Sequence, residues 1–147
     1  MVTSTFWGEY EHQLDDKGRV TVPADWRPGL AEGFFLCPGL NGYVCLYLLP
    51  KWRWAMIEET LLKVTYDDKA GTGLQSLVGL GVLTKLDGQG RLSIPPRLRA
   101  RGGISEEVLL CGAGDRIEIW NPEQRRAYEE KEFNPEALQD KISKKPL

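Results

Sequence analysis

The chain has 147 residues, 41% hydrophobic and 27% charged, which is the composition of a folded domain with a real core and not of a disordered tract. Its formal net charge is −2, and no apolar run approaches the roughly 18 residues that cross a bilayer, so a membrane-spanning helix and a uniformly basic surface are both excluded. One histidine, His12, and three scattered cysteines, Cys37, Cys45 and Cys111, offer no CxxC spacing and no His-paired nucleophile, so neither a metal centre nor a bound cofactor is expected.

The cysteines sit in apolar contexts and read as small buried hydrophobes. The N-terminal Met1-Val2-Thr3-Ser4-Thr5-Phe6-Trp7-Gly8-Glu9 lacks the charged-then-apolar order of a secretion signal, and a cytoplasmic location is the expectation.

Along the chain, the first structural signal is Asp15-Asp16-Lys17-Gly18. An aspartate carboxylate accepts backbone N–H groups in a turn, and a glycine three residues on supplies the positive φ that closes it. Arg19-Val20-Thr21-Val22 then alternates polar and apolar, the period of a half-buried strand with the arginine and hydroxyl on the outer face. Pro23 ends that strand, Ala24–Arg27 suits a short helix, and Gly29 or Gly33 stops it. Two further strands follow at Phe34–Leu36 and Tyr43–Leu48, separated by a glycine-containing loop. After Pro50, Trp54, Ile57, Leu61 and Val64 form one stripe at helical spacing. The polar Asp67–Gly73 reads as a linker, and Leu74–Leu83 as a short helix running into a strand.

The same order then recurs. Leu14–Pro23 aligns without a gap on Leu86–Pro95, 72 residues later, with Leu, Asp, Gly, Arg and Pro identical and Val/Leu, Thr/Ser and Val/Ile exchanged like for like. Arg27 falls on Arg99 at the same offset, and Val44–Tyr47 resembles Ile117–Trp120 at an offset of 73. Each copy therefore reads strand, turn, strand, short helix, strand, turn, strand, closed by a helix that Pro50 or Pro122 introduces. The last residues, Glu136–Leu147, carry a basic run and read as a frayed tail.

These two Asp-x-x-x-Arg blocks, with Phe6-x-Gly8-Glu9-Tyr10-Glu11-His12 before them and Glu118-Ile119-Trp120 after, strongly resemble the MraZ family of bacterial regulators, whose chains carry two AbrB-like modules. The resemblance implies a mainly β fold with short helices (α+β), in which tandem swapped-hairpin modules form one pseudo-twofold barrel. The corresponding boundaries are a first module at 6–66, a linker and short helix at 67–79, a second module at 80–133 and a flexible tail at 134–147. It further implies a ring-like homo-oligomer, cytoplasmic and nucleoid-associated, that binds repeated boxes in double-stranded promoter DNA of the division and cell-wall gene cluster. No membrane or small-molecule partner is implied. The residues matching the family's DNA-contacting motif are Lys17 and Arg19 in the first copy and Arg91 in the second, while Asp15, Gly18, Asp87 and Gly90 shape the turns. The chain departs from the family at Trp7, where a basic residue is usual, and at Gln89, the counterpart of Lys17.

Charge distribution bears on that reading. Lys85, Arg91, Arg97, Arg99 and Arg101 face only Asp87 in the 85–101 stretch, whereas Glu9, Glu11, Asp15, Asp16 and Asp25 outnumber Lys17, Arg19 and Arg27 in the 9–27 stretch. Arg19 and Arg91 have a structural role open to them as well, as ion pairs with Asp15 and Asp87. Two other functional classes fit parts of the pattern. An AbrB-type antitoxin would bind DNA through the modules and a partner through its tail. A hydrolase would bring Asp15 and Asp87 together as a proton-sharing dyad, although the turn role accounts for both aspartates without chemistry. Trp26, Trp52, Trp54 and Trp120 lie in apolar runs and read as packing residues and not as base-stacking platforms.

Overall fold

The computed structural model describes residues 4–63 and 69–144, so Met1–Thr3, Val64, Asp67–Asp68 and Lys145–Leu147 of the readings above lie outside the described residues. In the first half, β1 (Glu9–Gln13) and β2 (Arg19–Thr21) flank the Asp15 turn. A 3₁₀ helix (Ala24–Leu30), β3 (Phe34–Pro38), β4 (Leu46–Pro50), α1 (Lys51–Leu61) and α2 (Lys69–Leu80) follow. The second half repeats the order as β5 (Val82–Thr84), β6 (Arg91–Ser93), α3 (Pro96–Arg101), β7 (Glu107–Gly112), β8 (Ile117–Trp120) and α4 (Pro122–Glu132), with α5 (Pro135–Lys144) appended.

The fold is α+β, mainly sheet with short helices. Its strands do not close into one barrel. They form an open six-stranded antiparallel sheet, β1-β7-β8-β4-β3-β5, and a separate two-stranded sheet, β2-β6. The first strand of each half pairs with the other half: β1 with β7 and β5 with β3.

A pseudo-twofold axis follows from the register. In the small sheet Val20 pairs with Leu92, its repeat counterpart, and Arg19–Ser93 and Thr21–Arg91 flank that pair symmetrically. In the large sheet Leu46 pairs with Ile119, counterparts at the offset of 73. All four axial side chains are buried. Between the sheets, Val20, Val22, Leu92 and Ile94 meet Leu36, Leu46, Leu48, Val108, Leu110, Ile117 and Ile119, so the small sheet is pinned over one face of the large one.

Period-two alternation sends the other side chains of the large sheet to its opposite face. Phe35, Cys37, Tyr47, Leu49, Leu109, Cys111 and Trp120 form a second core with Leu77 of α2, Trp54, Ile57 and Leu61 of α1, and Tyr128 of α4. Trp54 stacks on Phe35 with ring centroids 3.9 Å apart. The three cysteines are free and buried, and burial pushes each thiol up to about 12.

Two segments differ from expectation. The linker is helical from Lys69, because Leu77 buries against the second core and offsets the cost of Gly71 and Gly73 in the helix. The expected tail contains α5, whose first turn is capped by the Asn134 side chain accepting from the Ala137 N–H at 3.0 Å.

Candidate functional site

The two Asp-x-x-Gly turns stand at opposite ends of the small sheet, and their local geometry is nearly the same. Asp15 Oδ1 accepts from the Lys17 and Arg19 N–H groups, both at 2.9 Å, and Oδ2 accepts from Arg19 Nε at 2.7 Å. Asp87 repeats the set with the Gln89 and Arg91 N–H groups at 2.9 Å and Arg91 Nε at 2.7 Å. Gly18 and Gly90, at φ of +75° and +74°, close the turns and return an N–H to the aspartate carbonyl. The sequence-predicted turn residues thus all act in the turns.

The Arg19 backbone N–H, aided by the Arg19 side chain and the Lys17 N–H against a smaller opposing effect of burial, lowers the Asp15 carboxyl to about 2. Asp87 is lowered for the same reasons, led by the Arg91 backbone N–H. A proton-sharing dyad needs two carboxylates in contact and one of them raised. The antiparallel register places Asp15 near the Ile94 end of β6 and Asp87 near the Val22 end of β2, so the two do not meet. The dyad reading is overturned on geometry.

Arg19 and Arg91 both form the ion pairs open to them, with Asp15 and Asp87. Each is ion-paired through Nε alone, and among the described residues its two terminal nitrogens make no hydrogen bond. Both side chains remain about a quarter exposed, at 26% and 27%. The alternation in β2 and β6 buries Val20 and Leu92 and leaves Arg19, Thr21, Arg91 and Ser93 on the outer face. Because Arg19 lies opposite Ser93 and Arg91 opposite Thr21, the two arginines are diagonal neighbours, with Cα atoms roughly 7–8 Å apart for such pairs. The result is a hydrogen-bonding face with two oriented guanidinium forks and two hydroxyls. Lys17 is exposed at the first tip, and Gln89 at the second.

Two arginines that the sequence flagged for alignment and local charge, Arg27 and Arg99, prove to touch these turns crosswise. A methyl group at Gly18 would lie 2.8 Å from Cζ of Arg99, and one at Gly90 would overlap Nε and Cζ of Arg27. On α3, Arg97 and Arg101 are exposed and in no ion pair among the described residues. Trp7, at the family's usual basic position, is 69% exposed.

A second charged cluster, on the far face of the large sheet, was missed by sequence reasoning. Glu118 is buried, accepting from Arg116 at 2.7 and 3.0 Å, from Trp120 Nε1 at 2.9 Å and from Arg125 at 3.3 Å. Arg116 lies over the Tyr47 ring and Arg125 over Trp120 and Tyr128, so the cluster cements α4 to the sheet. Its only sequence signal was a charged residue at the place of Cys45 in the first copy. Among the described residues no group of three or more His, Cys, Asp or Glu is placed to hold a metal, and no helix is long and apolar enough to cross a membrane.

Comparison with known proteins places this geometry. The family model described as "MraZ protein, putative antitoxin-like" matches residues 5–76 and again 81–143, the two halves related by the pseudo-twofold axis. Relatives named transcriptional regulator MraZ include that of Thermus thermophilus, 40% identical over 139 residues covering 90% of this chain and 95% of its own. That of Heliobacterium modesticaldum is 37% identical over 127 residues, covering 86% and 87%, and that of Clostridium acetobutylicum 34% identical over 139 residues, covering 94% and 96%. With both halves matched in order and relatives of this identity along nearly the full length, the chain belongs to the MraZ family.

Proposed function

We propose that the chain is a DNA-binding transcriptional regulator whose two hairpins present Arg19, Lys17 and Arg91 to double-stranded promoter DNA. The observation that carries the reading is the state of the two arginines. Asp15 and Asp87 hold each Nε, while the terminal nitrogens, the half of the fork that binds phosphate or guanine bidentately, make no hydrogen bond among the described residues, on side chains about a quarter exposed. The names of the relatives support the same class of function.

The overall charge of −2 makes a single chain a weak ligand for a polyanion. Affinity then comes from repetition, with successive boxes gripped by successive subunits of a ring-like homo-oligomer. In this account the boxes lie upstream of the division and cell-wall genes, and the protein is cytoplasmic and nucleoid-associated. A gel shift against the region upstream of the protein's own gene, with the number of boxes varied, tests it. Binding should collapse below two boxes, and a single-box duplex bound as tightly as a multi-box one would refute it.

A second reading, an antitoxin-like module, is favoured by one observation. Phe133, Leu138 and Ile142 are exposed on and beside α5, apolar positions that a partner would cover. The readings separate on native mass: a regulator runs as a multiple of its own chain, an antitoxin with a stoichiometric second polypeptide.

A further inference from the structure

The crosswise contacts at the hairpin tips are reciprocal and unequal. Arg99, from the second repeat, lies under the tip that carries Lys17 and Arg19, and Arg27, from the first repeat, lies under the tip that carries Gln89 and Arg91. The backbone repeats the exchange, since the Ile94 N–H donates to Gly18 O at 2.9 Å and the Val22 N–H to Gly90 O at 3.0 Å. Each arginine also lines the cleft beside the tip it supports: Arg99 with Asp15, and Arg27 with Asp87 and Gly90. Arg27 is tied down, its Nε donating to Val22 O at 2.9 Å. Arg99 is not: its Nε is buried with no hydrogen-bond partner among the described residues, and its guanidinium packs beside Gly18.

We propose that Arg99 is the positioning residue for the first repeat's DNA-contacting hairpin, its planar guanidinium wedged against Gly18 so that Lys17 and Arg19 stand at a fixed height above the small sheet. Arg27 serves the second hairpin in the same way. The inference rests on the reading of Lys17 and Arg19 as DNA contacts. It explains why a glycine is needed at a tip for space as well as for φ, and why both repeats place an arginine eight residues after the strand arginine. Each repeat thereby sets the geometry of the other's tip.

The test uses the full chain with Arg99→Met, which keeps the stem and removes the fork, and Arg99→Lys, which keeps the charge and removes the plane. Hydrogen–deuterium exchange of peptides spanning 14–20 and 86–92 reports each tip without DNA. Both variants should speed exchange at 14–20 and leave 86–92 unchanged, whereas Arg27→Met should do the reverse. Anisotropy titrations on a duplex from upstream of the protein's own gene should show a loss on the order of tenfold for both Arg99 variants, the scale of one misplaced base contact. The slope of log Kd against log salt should match that of the parent.

A slope lower by about one, or parent-like affinity in Arg99→Lys, would make Arg99 itself a phosphate contact and overturn the proposal. So would unchanged exchange at 14–20. A parent chain that binds no duplex would defeat the regulator reading instead, while the exchange pattern still decides whether Arg99 sets the tip.

Discussion

The carboxylate of Asp15 takes two backbone N–H donors and one guanidinium N–H, and this occupancy dictates how the turn responds to acid. Its folded pKa of about 2 lies below the ordinary 3.8, so the charged form stabilises the fold fully above pH 3.8, and that stabilisation is lost as pH falls through about 2. The gap in thermal midpoint between the parent and Asp15→Asn should hold from neutral pH to about pH 4 and close towards pH 2. A gap that widens on acidification would contradict the assignment. Glu118 is the opposite case, a buried carboxylate among arginines. Glu118→Ala strands two half-buried guanidinium groups and should cost on the order of 3 kcal/mol in urea unfolding. A loss under about 1 kcal/mol would mean that aromatic packing alone holds α4.

At the scale of elements, the small sheet has three residues in each strand and is held in place by what lies beneath it. Leu92 is fully buried on the pseudo-twofold axis between the sheets, so Leu92→Ala should cost about 2–5 kcal/mol in denaturant unfolding. A near-neutral effect would show that the hairpins are not seated through that side chain. Elements like these were legible in the sequence where local chemistry dictates them. The Asp-x-x-Gly turns, the prolines after β2 and β6, and the stripe of Trp54, Ile57 and Leu61 all read correctly, because turn donors, missing N–H groups and helical period are local properties. The exchange of β1 and β5 between halves was not readable from the residues themselves, since Gln13 facing Glu107 and Leu36 facing Val82 are tertiary pairings. The resemblance supplied the swap but also a closed barrel, where the strands form an open sheet with a separate hairpin layer. Alternation in β8 sets Glu118 on the side of Trp120, away from Ile117 and Ile119, and its burial comes from the tertiary packing of α4 there. The helix α5 did leave a signal, Asn134-Pro135 at its start, which the charge run of the last residues obscured.

Taken as a whole, the molecule puts its arginine-bearing hairpins on one layer and its α1, α2 and α4 packing on the other side of the large sheet. The near-symmetry is broken in chemistry more than in backbone, by Gln89 in place of Lys17 and Glu118 in place of Cys45. The first hairpin should accordingly dominate binding, and Arg91→Ala should weaken it less than Arg19→Ala in parallel titrations; equal losses would mean that both hairpins engage alike. The most direct test of the central claim is the affinity of Arg19→Ala for the upstream duplex across a salt series, with folding and assembly verified by melting and native mass. The account predicts a loss of at least tenfold and a shallower salt slope, as expected when an arginine contacting base or phosphate is removed. Unchanged affinity and slope in a folded, assembled variant would contradict it.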